Sequence, residues 1–301
     1  VVGSSSSTFV RFYKNETFDN PAPNWNDPND IRTPKFTRAL DIEPDTSAGG
    51  HAGMTAGDFN QDGNPDFFHY QNGGGDFTNI DVQRIYLGNG DGTFQPRYNA
   101  SSSFADWGYF AWSSANSAVF DWNKDGWPDI VFGTKATSAD STGAVRVFLN
   151  TCPDVWTSST TACSVDPTFT RTDVLTNVNL GKRGVNALSM ADFTGDGIAD
   201  MVIGSPSLCA PLRLYKGLPG GGIDTTTYDS ISNGSYADGA ATVILAADFS
   251  LNGGKDIIFG TDNFNCSGNL GGATYYHAND LSAVPFTGGA DQRCFAVRGV
   301  R

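Results

Sequence analysis

Nine-residue acidic loops recur four times along the chain, and this recurrence limits the fold more than any other feature. The first lies in AGDFNQDGNPDFF, residues 56–68, where Asp58, Asn60, Asp62 and Asp66 take positions 1, 3, 5 and 9 and Gly63 takes position 6. VFDWNKDGWPDIVFG supplies Asp121, Asn123, Asp125 and Asp129, and MADFTGDGIADMVIG supplies Asp192, Thr194, Asp196 and Asp200. AADFSLNGGKDIIFG supplies Asp248, Ser250, Asn252 and Asp256. The first aspartates stand 63, 71 and 56 residues apart. A spacing of this size marks a repeat architecture in which each unit is one supersecondary element.

Oxygen side chains at alternate positions of a tight loop can converge on one point, joined by the main-chain carbonyl at position 7. That carbonyl belongs to Asn64, Trp127, Ile198 and Gly254 in the four loops. Hard oxygen ligands in this number suit Ca2+. An EF-hand starts in a similar way but needs a glutamate at position 12, where the first loop has His69. Three loops are expected to hold calcium. The fourth is expected to be weak or empty, because it has Ser250 and Asn252 at positions 3 and 5 and places Lys255 beside Asp256.

The flanks turn the motif into a fold prediction. Small apolar residues enter each loop (Met54 to Gly57, Ala118 to Phe120, Ala187 to Ala191, Val243 to Ala247). Apolar residues rich in β-branched and aromatic side chains leave it (Phe67 and Phe68, Ile130 to Phe132, Met201 to Ile203, Ile257 to Phe259). Such runs on either side of a turn read as a hairpin, strands A and B. RIYLG, VRVFLN, LRLYKG and ATYYHA give a third strand, and GTFQPRY and PTFTRTDVL a fourth, fainter in the last two units. Four antiparallel strands per unit predict an all-β chain, a β-propeller with blades near residues 50–110, 115–180, 185–240 and 241–295. Residues 1–45 predict a partial blade of strands C and D, and VRGVR at 297–301 resembles KRGVN at 182–186, which leads into the third loop. Residues 1–301 are therefore expected to form a segment of a larger propeller, or else a small propeller closed by its own ends.

With these motifs the chain resembles the FG-GAP or VCBS repeat family, the calcium-loop blades of integrin α-subunit propellers and of many secreted bacterial and fungal proteins. DMVIGSP at 200–206 is similar to the family's strand B and its Gly-x-Pro turn, and LGNGDGTFQP at 87–96 to its C–D hairpin. The resemblance covers roughly residues 50–290. It implies a calcium-stabilised propeller outside the cell and says less about activity, because one fold serves many functions.

Composition agrees with a secreted β protein. The 36 glycines suit frequent turns, and the net charge of −13 is partly accounted for by metal-binding carboxylates, so a basic partner is not required. No basic stripe points to nucleic acid, and no apolar run is long enough to span a bilayer as a helix. N-x-S/T sites occur at Asn15, Asn99, Asn233 and Asn265. Cys152 and Cys163 share one C–D insertion and could close a local disulfide. Cys209, Cys266 and Cys294 belong to the opposite face of the blades, where two could pair; buried free thiols are the alternative.

No catalytic constellation is legible. His51, His69 and His277 are scattered, and the aspartates are accounted for by metal. The expected role is non-catalytic: a binding or adhesion module for an extracellular protein or carbohydrate. A passive structural propeller of a larger secreted enzyme or surface appendage, or a lectin, is the alternative. Further domains or blades of the same polypeptide are expected partners. SSSFADWGYFAWSS, 101–114, brings Phe104, Trp107, Tyr109, Phe110 and Trp112 to the face where integrin members of the family bind ligand, joined there by the insertion at 72–82. Such rings can stack on sugars or anchor a protein, or can fill the wedge between blades.

Overall fold

The computed structural model describes residues 2–3, 10–15, 36–42, 51–71, 83–97, 117–134, 143–151, 167–178, 184–185, 187–204, 212–231, 240–249, 253–262, 273–276 and 283–284. The aromatic stretch 101–114, the insertion 72–82, all five cysteines, His277, Ser250 and Asn252 lie outside these residues.

The described residues form an all-β chain without a helix, ordered as five antiparallel sheets. Strands β1 (Val2–Gly3), β2 (Val10–Asn15) and β3 (Phe36–Ile42) make a three-stranded sheet. Sheet I contains β4 (His51–Gly57), β5 (Asp66–Gln71), β6 (Gln83–Gly88) and β7 (Phe94–Arg97). Sheet II contains β8 (Ser117–Phe120), β9 (Asp129–Thr134), β10 (Gly143–Asn150) and β11 (Phe169–Val178). Sheet III contains β12 (Ala187–Ala191), β13 (Asp200–Gly204), β14 (Leu212–Tyr215) and β15 (Asp229–Ile231). Sheet IV contains β16 (Ala240–Ala247), β17 (Asp256–Asp262), β18 (Ala273–Tyr276) and β19 (Ala283–Val284). Each of these four sheets is a meander paired in chain order, with an acidic loop joining its first two strands. At the N-terminus the residues expected to be strands C and D do pair, and β1 adds a third strand to them.

Burial explains why the strands after each loop are continuously apolar instead of alternating. On β9, Ile130 and Phe132 face sheet I, packing with Phe68, Ile85 and Leu87, while Val131 faces sheet III, packing with Leu188, Met201 and Ile203. On β13, Met201 and Ile203 join that cluster and Val202 turns to sheet IV, packing with Ile244 and Ile257. Successive side chains of a strand point to opposite faces, so a sheet covered on both sides must be apolar at every residue. The core is therefore a series of layers between consecutive sheets. Its first layer is aromatic: Phe12 of the three-stranded sheet stacks on Phe94 with ring centroids 4.5 Å apart, and Phe67 stacks on Tyr86 at 4.5 Å. The first strands of neighbouring sheets also meet, β1 on β4, β4 on β8, β8 on β12 and β12 on β16.

Phe132 is fully enclosed in the layer between sheets I and II. Phe132→Ala is expected to cost about 3–5 kcal/mol, from lost burial and the cavity left behind. Urea unfolding of the variant checks this; a loss under about 1 kcal/mol would mean that the two sheets do not pack as described.

Candidate functional site: the acidic loops

Each loop begins where the first strand of a sheet ends, and two left-handed residues close each of the first three. Position 6 is glycine in all four loops, with φ of 88° at Gly63, 92° at Gly126, 83° at Gly197 and 90° at Gly253. Position 4 is also left-handed, at Gln61 (54°), Lys124 (59°) and Gly195 (76°). This backbone turns successive N–H groups inward onto the first carboxylate. Asp58 accepts from the N–H of Asp62 (3.1 Å) and of Gly63 (2.9 Å); Asp121 accepts from Asp125 (3.1 Å) and Gly126 (3.0 Å). Asp192 accepts from Gly195 (2.7 Å), Asp196 (3.2 Å) and Gly197 (2.9 Å). In the fourth loop Gly253 donates to Asp248 at 2.9 Å.

The position-5 carboxylate is bound in the same repeating manner. Asp62, Asp125 and Asp196 each accept the N–H of position 7, from Asn64, Trp127 and Ile198, at 2.8 Å. The side-chain amides of Asn60 and Asn123 donate to Asp62 (3.0 Å) and Asp125 (2.8 Å). Thr194 has no amide to supply that bridge. The carboxylates at positions 1 and 5 are thus gathered by backbone donors, and in the first two loops the position-3 oxygens of Asn60 and Asn123 also accept a main-chain N–H, from Asp62 and Asp125 at 3.2 Å.

Position 9 has a different task. Asp66, Asp129 and Asp200 are buried, and in each both carboxylate oxygens accept a main-chain N–H. One comes from position 2 of the loop: Phe59 (2.8 Å), Trp122 (2.7 Å) and Phe193 (2.9 Å). The other comes from the end of the third strand or just beyond it: Gly88 (2.8 Å), Asn150 (2.7 Å) and Gly217 (2.8 Å). This aspartate clamps three strands of the sheet at the loop end. Sequence reasoning named it only as a ligand and did not see the clamp. The signal was present, because Gly88, Asn150 and Gly217 each stand two residues after an aromatic residue, Tyr86, Phe148 or Tyr215. Glycine serves there because a Cβ on Gly88 would lie 2.2 Å from the carbonyl oxygen of Pro65, and one on Gly217 2.3 Å from that of Ala199.

Burial pushes the Asp66 and Asp129 carboxyls up to about 6, against the two N–H bonds that favour the charged form; the nearby loop aspartates push the same way. The folded state then binds protons between pH 4 and 6 that the unfolded chain has already released. Metal-free protein is therefore expected to lose stability as pH rises through that window. Asp91, Asp173 and Asp224, held low mainly by Thr93, Arg171 and Thr226, act in the opposite sense, and only below pH 4. Denaturant titrations in chelator at pH 4.5 and 6.5 check the sign; greater stability at the higher pH would count against it.

Neighbouring sheets are tied together at this edge. The Gln61 side-chain amide donates to the carbonyl of Gly126, from position 4 of the first loop to position 6 of the second. The Asn150 side-chain amide donates to the carbonyl of Phe59 at 2.8 Å. From the second loop, Lys124 donates to the carbonyl of Pro219 (2.7 Å), and the carbonyl of Trp122 accepts from Gly222 (2.8 Å).

Among the described residues no three His, Cys, Asp or Glu side chains are gathered into a ready metal cage. The donor set nevertheless fits a hard cation. Each carboxylate oxygen at positions 1 and 5 keeps a second lone pair beyond the hydrogen bond it accepts, save the Asp192 oxygen that accepts from both Gly195 and Asp196, and position 7 adds a carbonyl. His69, fully buried on β5, belongs to the sheet and not to any loop.

No family model matches the chain. Phosphatidylinositol-glycan-specific phospholipase D of Bos taurus is 30% identical to it over 216 residues, 67% of this chain and 23% of that protein. The chain spans less than a quarter of that relative's length. Among the described residues no helix is long and apolar enough to cross a membrane.

Proposed function

We propose that the chain is a calcium-stabilised β-propeller segment of the FG-GAP or VCBS type, acting outside the cell as a non-catalytic platform for a protein or carbohydrate ligand. The observation that carries this reading is the loop geometry. Three loops of unlike sequence draw the position-1 carboxylate onto the N–H groups of positions 5 and 6, and the position-5 carboxylate onto the N–H of position 7. Carboxylates brought this close repel one another and need a counter-charge, which Ca2+ supplies. Asp58, Asn60, Asp62 and Asn64 would hold it in the first loop; Asp121, Asn123, Asp125 and Trp127 in the second; Asp192, Thr194, Asp196 and Ile198 in the third. Asp66, Asp129 and Asp200 would complete these sets through their remaining lone pairs. Consecutive four-stranded meanders packed face to face support the propeller.

The test of the binding role is a glycan array, together with capture of extracellular-matrix proteins, each in calcium and in chelator. Calcium-dependent retention of one ligand class supports it. Stabilisation by calcium without retention of any ligand would overturn it in favour of the second reading, a structural domain of a larger enzyme. That reading draws on the partial similarity to a protein named as a phospholipase.

The fourth loop is expected to bind calcium most weakly. It keeps the turn, with Gly253 donating to Asp248, and the buried Asp256, but has two carboxylates where each of the others has three, with Lys255 adjacent. Fewer anionic ligands lower affinity. Calorimetric titration should resolve three tighter sites and one weak or silent one; four equal sites would sink the argument from ligand charge.

A further inference from the structure

We infer that the first and second acidic loops bind cations as a coupled pair, through Asn150 and Gln61, whereas the third loop binds independently of them. The inference rests on the cation reading of the loops and goes beyond it in assigning roles to two residues outside the ligand sets.

Asn150 joins the two loops in a single buried residue. Its main-chain N–H donates to Asp129, position 9 of the second loop, at 2.7 Å. Its side-chain amide donates to the carbonyl of Phe59, position 2 of the first loop, at 2.8 Å, and to the carbonyl of Pro128 at 3.3 Å. The N–H of Phe59 in turn donates to Asp66, position 9 of the first loop. The two position-9 carboxylates are thus linked by one unbroken hydrogen-bonded path, Asp66 to Phe59 to Asn150 to Asp129. Asn150 is 1% exposed, so water does not compete for that path.

Gln61 makes a second link nearer the solvent. It holds φ of 54°, a conformation unfavourable for a side chain other than glycine, and from there donates to the carbonyl of Gly126. Ordering the first loop around an ion fixes Gln61 and Phe59. That removes part of the ordering cost of the second loop, which is positive cooperativity carried by lost conformational freedom. Neither side-chain link recurs at the next junction, where the second loop is tied to the β14–β15 connection and not to the third loop. Sheet III has Gly217 where sheet II has Asn150, the carbonyl of Trp122 accepts from the main chain of Gly222, and the second loop's position-4 side chain, Lys124, reaches Pro219.

Terbium serves as the probe, because Trp122 and Trp127 in the second loop can sensitise its emission; the component abolished by Asp125→Ala is assigned to that loop. Disabling the first loop with Asp58→Ala and Asp62→Ala is expected to weaken terbium binding at the second about 5- to 10-fold, a common size for coupling between sites. In a background of Asn150→Gly and Gln61→Ala the same disabling should change it less than about 2-fold. Asn150→Gly copies the residue the chain itself uses at 88 and 217, and keeps the N–H bonded to Asp129. Gln61→Ala alone, on an exposed loop, is expected to remove part of the coupling and keeps the test decisive if the buried variant unfolds. The third loop's affinity should not respond to disabling the first. A second-loop affinity indifferent to the first loop, or a difference surviving both substitutions, would overturn the coupling and leave the metal reading intact. No terbium binding at any loop would overturn both.

Discussion

Calcium added to chelated protein is expected to raise its melting temperature by roughly 10 °C or more. A site that binds only the folded state, filled at a hundred times its dissociation constant, contributes about 2.7 kcal/mol, so three such sites contribute about 8 kcal/mol. A chain of this size moves by about 1–2 °C per kcal/mol. The physical source is the crowding of carboxylates at each sheet edge, where Asp58 and Asp62 are drawn in by the N–H groups of Asp62, Gly63 and Asn64. Asp125→Ala should remove at least a third of the calcium-dependent gain, the excess being what the first loop loses with its coupled partner, and little of the stability seen in chelator. Differential scanning calorimetry in calcium and in chelator measures both quantities. Coincident melting curves would contradict the role given to the loops.

The sheets were legible in the sequence because their strands are bounded by a motif with fixed internal spacing. Asp129 begins β9 and Asp200 begins β13, as the loop positions require. The fourth strands of the last two sheets were faint because they are short: β15 is three residues and β19 two, too few for a period to declare itself. Strand β1, at two residues, escaped for the same reason. The acidic side chains were legible as a group, but not their division of labour. Alternation at positions 1, 3, 5 and 9 makes four oxygens look equivalent, whereas burial separates the last from the others, and burial depends on where the third strand ends. The left-handed position 4 was hidden because Gln61 and Lys124 are not residues that announce positive φ. The ties between sheets, Gln61 to Gly126 and Asn150 to Phe59, join residues 65 and 91 positions apart, and no local pattern encodes them.

That division of labour gives the second large effect: Asp200→Ala is expected to destabilise the protein by about 4 kcal/mol in chelator as well as in calcium. Asp200 is 0% exposed and accepts N–H bonds from Phe193, Thr194 and Gly217. Thr194 is exposed and can turn to water, but Phe193 and Gly217 are buried. Two buried N–H groups left without an acceptor cost about 1–3 kcal/mol each. Asp200→Asn should recover only part of the loss. One end of the amide is a donor, and it would face a donor whichever way the group is turned, since N–H groups approach both oxygens. Asp196→Ala, at a position-5 carboxylate in the same loop, is the comparison: it should cost much in calcium and little in chelator. Chemical denaturation of the two variants, each with and without calcium, separates the clamp from the ligand. If Asp200→Ala behaved like Asp196→Ala, with its loss vanishing in chelator, position 9 would be a metal ligand alone, and its hydrogen bonds to the loop and to the end of the third strand would contribute nothing to the sheet.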